Sequence, residues 1–349
     1  MEKKKIAVLF GGCSTEYSVS LQSAYAVLSN LNMDKYDIIP IGITREGQWF
    51  RYLGDFKNIS NDMWKKDRDN CIPAIISPDK KVSGIIEFIE GGTRYTKLDG
   101  VFPILHGKNG EDGTLQGLIE LAGIPLIGCN TFSSALCMDK DRAHKIVQDI
   151  GVHIPKGVVI QQYFNEENIY SLTKDLKYPL FVKPMKAGSS FGITKVHYKK
   201  DLLDAVENAF EHDNEVIIEE NINGFEVGCA IIGNDELVAG RVDEIELTDG
   251  FFDYEEKYTL KTSKIHMPAR IDEAIEKEVQ KVAKSIYKAL GCRGFARVDM
   301  FLTTDGRIVF NEVNTIPGFT SHSRYPNMMK GIGMSYEEIL DRLIELGTK

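Results

Sequence analysis

The sequence predicts an α/β unit on a mostly parallel sheet, followed by a two-part α+β region. Three observations carry this. "KKKIAVLFGG", "DIIPIGIT" and "GVFPILHG" each read as a buried strand in a strand-then-glycine pattern, and the helical segments "SVSLQSAYAVLSNL" and "LQGLIELAGIP" follow the first and last of them. From about Met138 that pattern gives way to short strands with hairpin signals. The chain, at 349 residues, is also too long for one typical domain. Units spanning 1–137, 138–216 and 217–349 are therefore expected.

In order along the chain, Asp55 to Gly92 lacks a firm period and reads as irregular with one or two strands. Past Met138 come a helix, "DKDRAHKIVQDIG", and a strand before Pro155. "YPLFVKP" and "ITKVHY" then read as a hairpin around the Gly/Ser tip "MKAGSSFG". After "EVIIEENI" the strands are "FEVGCAIIG", "ELVAGRVDEIEL", "ARVDMFL" and "RIVFNEV". One helix, Asp272 to Leu290, interrupts them and stops at Gly291, and an amphipathic helix lies at "SYEEILDRLIEL".

Composition excludes several classes. A net charge of -9 argues against sequence-independent nucleic-acid binding, which needs a basic face. No apolar run approaches the ~20 residues of a membrane span, and the apolar core of "MEKKKIAVLFGG" is too brief for a signal peptide, so a cytoplasmic protein is expected. Six cysteines without a C-x-x-C pair read as reduced structural thiols.

Four stretches carry candidate chemistry. In "ARVDMFLTTDGRIVFNEVN", a two-residue turn at Asp305-Gly306 puts Asp299 opposite Glu312 and Arg297 opposite Asn314, all on one face. Two adjacent carboxylates and an amide oxygen suit a hard cation such as Mg2+ beside a nucleotide; the bland counterpart is a solvated face with Arg297 pairing both acids. Pro317-Gly318 beyond them offers close backbone approach and an N–H for an oxyanion. Lys183 and the Gly-Ser-Ser loop after it could cover phosphates, or be a plain hairpin tip.

In "FGGCSTEYSVS", Glu16 would repel a pyrophosphate at the helix start but suit a ligand ammonium, with a helix cap as the alternative. His106, in "LHGKNGEDGT", lies at a strand end, where ligands collect in α/β sheets, although a lone histidine can be structural. "GFFDYEEKYTLKTSK" reads as a lid or a surface loop.

Together the blocks "FGG-x-S-x-E-x-x-VSL", "LHG-x-x-GEDG", "MDKD", "VKP-x-x-x-GSS-x-G", "EKY", "GC-x-G-x-x-RVD" and "NE-x-N-x-x-PG-x-T-x-HS" resemble, in order, the ATP-grasp enzymes of the D-alanine:D-alanine ligase family. The resemblance runs from residue 10 to about residue 326. It implies a two-part ATP-grasp fold behind the N-terminal domain. It implies that Lys140, Lys183 and Lys257 bind ATP phosphates, that Glu219 and Glu226 meet adenine and ribose, and that Asp299, Glu312 and Asn314 hold two Mg2+ ions, for which Mn2+ could substitute. Glu16 would take the ammonium of the first D-alanine, with His106 near its carboxylate. Ser189 and Tyr258 would link to Glu16 and close the lid, and Arg297 with the Gly318 N–H would stabilise the oxyanion. A homodimer is also implied.

One departure bears on the second substrate. Ordinary members resemble "SHSL" in the last block, whereas this chain reads "SHSRYPNMM". Beyond Ser323, Arg324 thus replaces an apolar residue, and a donor there suits a hydroxyl better than a methyl. The "SRYP" form resembles the ligases of vancomycin resistance, and retained "EKY" favours the D-alanine:D-serine type. A housekeeping D-alanine:D-alanine ligase, another ATP-grasp ligase and a non-catalytic nucleotide binder are the competing readings.

Overall fold

A computed structural model describes residues 2–162, 165–186, 188, 191–247 and 263–349, so Ser189, Lys257 and Tyr258 lie outside the described residues. The opening apolar run forms β1 (Lys4–Gly11), buried on both faces beyond its first two residues, as a central parallel strand requires. The helix α1 (Tyr17–Asn30) follows and returns the chain to β2 (Tyr36–Ile43), which pairs with β1 in parallel. The next strands are β3 (Trp49–Tyr52), β4 (Cys71–Ile76), β5 (Gly84–Ile89), β6 (Gly92–Lys97) and β7 (Gly100–Ile104), with the short α2 (Lys57–Ser60) after β3.

The sheet is seven-stranded in the order β6-β5-β4-β3-β2-β1-β7. Parallel pairing holds for β2, β1 and β7 only; β3 to β6 extend the sheet antiparallel, which corrects the expectation of a mostly parallel sheet. For the β2–β3, β4–β5 and β5–β6 pairs the reason is connection length. Only residues 90 and 91 separate β5 from β6, whereas a parallel crossover needs about a dozen residues.

The helices α3 (Thr114–Leu121), α4 (Thr131–Met138) and α5 (Lys140–Asp149) lead to a second, four-stranded sheet of order β10-β9-β11-β8. It comprises β8 (Gly157–Gln161), β9 (Leu180–Pro184), β10 (Thr194–Val196) and β11 (Glu215–Glu220), backed by α6 (Glu166–Leu172) and α7 (Leu202–Phe210). β9 and β10 form the expected antiparallel hairpin. The strand expected before Pro155 instead starts at Gly157, past the proline, which has no N–H for a ladder.

A third sheet, ordered β14-β13-β12-β15-β16, contains β12 (Gly224–Ile232), β13 (Val238–Leu247), β14 (Ser263–His266), β15 (Phe295–Thr303) and β16 (Ile308–Asn314). Helix α8 (Glu273–Ala289) covers one face, and α9 (Arg324–Lys330) and α10 (Tyr336–Gly347) finish the chain. Phe319 and Tyr325 share one core with Phe10 and Phe102 of the first sheet. That shared core clamps the segment after β16 between the first and third sheets.

The β15–β16 hairpin reaches the expected register by an unexpected route. Thr303 N–H donates to the Arg307 carbonyl and Gly306 N–H to the Thr303 carbonyl, each at 2.9 Å. The loop is therefore three residues, with Gly306 at φ +83° in the left-handed position that closes such loops. Near it Phe301 faces Val309 and Met300 faces Phe310, one residue off the pairing that a two-residue turn would give. A bulge at Asn311 restores the count, and Asp299 faces Glu312 while Arg297 faces Asn314. Phe310 and Val313 both lie in the core beneath α8, which strict alternation would forbid if Glu312 and Asn314 were to face the other way.

Candidate active site

Two clefts meet on the face of the third sheet away from α8. The first, of about 490 Å³, lies between the N-terminal unit and β15–β16, and Glu16, His106, Arg297, Asn314, Gly318, Ser323 and Arg324 line it. The second, of about 540 Å³, lies between the two antiparallel sheets and is lined by Lys183, Glu219 and Glu226 among others. Lys140 and Glu312 line both. A phosphoryl donor in one cleft and an acceptor in the other would meet at that lysine and that carboxylate.

Glu16 occupies the N-cap position of α1 but makes no capping bond with its side chain. Its carboxylate lies under two glycines: a Cβ on Gly107 would be 2.5 Å from Oε2, and one on Gly188 would be 3.0 Å away. Only glycine lets both loops close over it.

His106 is buried, with Nδ1 3.0 Å from the Ile316 carbonyl and Nε2 3.1 Å from Ser23 Oγ. The carbonyl can only accept, so Nδ1 carries the proton and Nε2 accepts from the serine. Burial pushes its pKa down, which keeps the ring neutral. Both ring nitrogens are engaged within the protein, so His106 fixes the Ile316 segment against α1.

Asp299 is 1% exposed and receives the Arg297 fork, with Nε to Oδ1 at 2.8 Å and Nη2 to Oδ2 at 2.7 Å. Asn314 Nδ2 donates to Asp299 Oδ2 at 2.8 Å, which leaves Asn314 Oδ1 as the atom for a cation. Among the described residues no three His, Cys, Asp or Glu side chains form a ready metal cluster. The donors are two carboxylates and an amide, all oxygen, and they fit a hard divalent ion whose shell is completed by substrate oxygens.

In the second cleft Glu219 is flanked by Lys183 Nζ at 2.7 Å and His144 Nδ1 at 3.1 Å. These are ion-pair distances, and neither Glu219 oxygen has an aligned hydrogen bond. Burial works against its charge, but Lys183 and His144 outweigh burial and hold its carboxyl well below the usual carboxylate range. His144 Nε2 lies 2.8 Å from the carbonyl of Asn311, the bulged residue, and so ties this cleft to β16.

Arg324 lines the first cleft, but its guanidinium is engaged. Nε and Nη2 fork onto Asp243 at 2.7 and 2.8 Å, and Nη1 donates to Glu226 at 2.8 Å. Gly318 approaches Ser323, whose Oγ accepts from Thr320 N–H at 2.9 Å.

Sequence reasoning missed Glu111, His144 and Asp243. Glu111 accepts from Gly107 N–H at 2.8 Å and Ile316 N–H at 3.3 Å. Burial, with the Glu16 carboxylate beside it, pushes its carboxyl up to about 8. The "GEDG" block held the signal, but its two acids could not be ranked without knowing which one faces Glu16.

This pairing of antiparallel sheets around a nucleotide-sized cleft, with a lysine and a carboxylate shared with a second cleft, is the architecture of an ATP-grasp ligase. The family described as D-ala D-ala ligase matches the chain twice, its N-terminus over residues 5–129 and its C-terminus over residues 146–345. The chain belongs to that family. It is 44% identical over 347 residues to the vancomycin C-type resistance protein VanC1 of Enterococcus gallinarum, covering 99% of each. It is 43% identical over 359 residues to the D-alanine–D-alanine ligase of Caldicellulosiruptor bescii, covering 100% of this chain and 96% of that one. The solved structure of the VanG D-Ala:D-Ser ligase of Enterococcus faecalis matches with TM-score 0.93 and 63% identity, over 99% of both chains.

Proposed function

We propose that this chain is an ADP-forming ligase that joins D-alanine to D-serine, supplying a peptidoglycan precursor terminus that confers glycopeptide resistance. The observation that carries the reading is the 63% identity, over 99% of the chain, to a D-Ala:D-Ser ligase. Arg324 in place of an apolar residue agrees with it. Identities near 44% do not discriminate, because resistance proteins and D-alanine–D-alanine ligases share them.

In this reading three units, 1–137, 138–216 and 217–349, divide the work. Glu16 binds the ammonium of the first D-alanine with His106 near its carboxylate, and His106 also positions the segment that carries Gly318. Lys140, Lys183 and Lys257 bind the ATP phosphates, with Glu219 and Glu226 toward adenine and ribose. Asp299, Glu312 and Asn314 hold Mg2+, two ions with Mn2+ as a substitute, whose chemistry when bound is to neutralise charge on the transferring phosphoryl group. The γ-phosphoryl passes to the D-alanine carboxylate and ADP leaves. The D-serine amine then attacks the acyl carbon and phosphate leaves. Arg297 and the Gly318 N–H stabilise the oxyanion of that step. Ser189 and Tyr258 close the site over Glu16, excluding water from the acyl phosphate. The enzyme acts as a cytoplasmic homodimer; among the described residues no helix is long and apolar enough to cross a membrane.

The test is ATP-dependent phosphate release with D-alanine alone, then with D-serine or D-lactate added, each product identified by mass. Dominant D-alanyl-D-serine is expected. D-Alanyl-D-alanine as the only product would instead make this a housekeeping ligase with the same fold.

A further inference from the structure

We propose that His144 is a positioning residue for this reaction: its two ring nitrogens set the Glu219 carboxylate in the nucleotide cleft and the β16 bulge that aims Glu312 at the cation site. The inference rests on the nucleotide and metal assignments above, not on the choice of D-serine. It begins with α5, where Lys140 and His144 stand four residues apart and so share one helix face. Lys140 lines both clefts, whereas His144 is 3% exposed and is not among the described residues that line either. Whatever it does for a ligand, it does through its neighbours.

Those neighbours lie on two different sheets. Nε2 is 2.8 Å from the Asn311 carbonyl on β16, and Nδ1 is 3.1 Å from Glu219 Oε1 on β11. A carbonyl and a carboxylate can only accept, so the ring serves both with a proton on each nitrogen. Phe310 packs edge-on against the imidazole, with centroids 5.4 Å apart and planes at 75°, and this fixes the ring between the two acceptors.

The Asn311 end bears on the cation site. Asn311 is the residue that the bulge adds, and it has no partner across the β15–β16 ladder. Its carbonyl turns to His144 instead. The same bulge points Glu312 toward the clefts, so a donor held on that carbonyl holds the direction of the carboxylate beside it. The Glu219 end bears on the nucleotide. Lys183 Nζ stands 2.7 Å from Oε2 and His144 stands against Oε1, so the carboxylate cannot turn without losing one of them. One ring thus sets the spacing between a nucleotide-facing carboxylate and the strand that carries the metal ligands.

The experiment takes two binding readouts on the full chain. Calorimetry gives the affinity for a non-hydrolysable ATP analogue without divalent ions, and paramagnetic resonance of the free ion gives the affinity for Mn2+ with the analogue saturating. Thermal unfolding of the ligand-free protein accompanies both. We expect His144→Ala to weaken the analogue about tenfold or more, the scale of one hydrogen bond to a charged group, and to weaken Mn2+ several-fold. His144→Gln can place an amide N–H where Nε2 stood, and should restore Mn2+ affinity but not that of the analogue. His144→Asn can place one near Nδ1 and should do the reverse. Where His144→Ala does not fold, the contrast between these two variants decides alone. Unchanged affinities in folded variants, with only melting temperature lowered, would mean a merely structural role and overturn the inference. Equal loss of both affinities in the Gln and Asn variants would overturn it too. A wild type that binds neither probe removes the proposed function, and this inference with it; a wild type that binds both, beside variants that bind equally well, removes this inference alone.

Discussion

Asp299 and Glu312 stand directly opposite each other across β15 and β16, and the extra residue Asn311 puts them there. The bulge turns Glu312 toward the clefts while Phe310 stays in the core. Glu312→Gln keeps the shape and removes one charge from the cation site. Phosphate release should fall on the order of 100-fold, and half-maximal activity should need more Mg2+, since a metal supplies several kcal/mol of charge stabilisation. A Mg2+ titration matching the wild type would count against the site.

Glu111 gives a pH dependence of known sign. Its carboxyl is raised from 4.5 to about 8 in the folded protein, chiefly by burial and then by Glu16. Between those values the folded state binds more protons than the unfolded one, so its contribution to stability declines as pH rises through that window. Melting temperature of the ligand-free protein should show this between pH 5 and 8, and Glu111→Gln should flatten the slope. The amide cannot accept both backbone N–H groups, so the slope is the readout and not the plateau.

Glu219 behaves oppositely. With its carboxyl held below the ordinary 4.5 by Lys183 and His144 against the pull of burial, it contributes stability above that pH and loses it as pH falls below. Glu219→Gln leaves Lys183, whose side chain is 12% exposed, without its anion. Urea unfolding at pH 7 should register a loss of about 3–5 kcal/mol, the usual result of breaking a buried pair. The KM for ATP should rise as well. No change in either quantity would show that the pair matters neither to folding nor to the nucleotide.

Gly107 tests the first-substrate end. It adopts φ +72°, and a Cβ on it would press against Glu16 Oε2 at 2.5 Å. Gly107→Ala should cost about 1–2 kcal/mol from the left-handed conformation alone. Displacement of Glu16 should raise the KM for the first D-alanine several-fold while the KM for ATP holds. Steady-state kinetics with each substrate varied in turn would separate the two.

The sequence by itself determined the family, the strands and the list of candidate residues. Alternation and glycine punctuation are local properties, and seven blocks in order leave little freedom. It also arrived at the Asp299–Glu312 pairing, although by a two-residue turn where the chain uses a three-residue loop and a compensating bulge. Tertiary structure alone decided which charges are buried together. Glu111 reads no differently from Asp112 beside it in "GEDG" until Glu16 and the Ile316 segment close around it. Arg324 reads as a free donor until β12 and β13 bring Gly228 and Asp243 beneath it. Such partners lie far apart in the chain, and the cost of an unpaired buried charge depends on an environment that only folding creates.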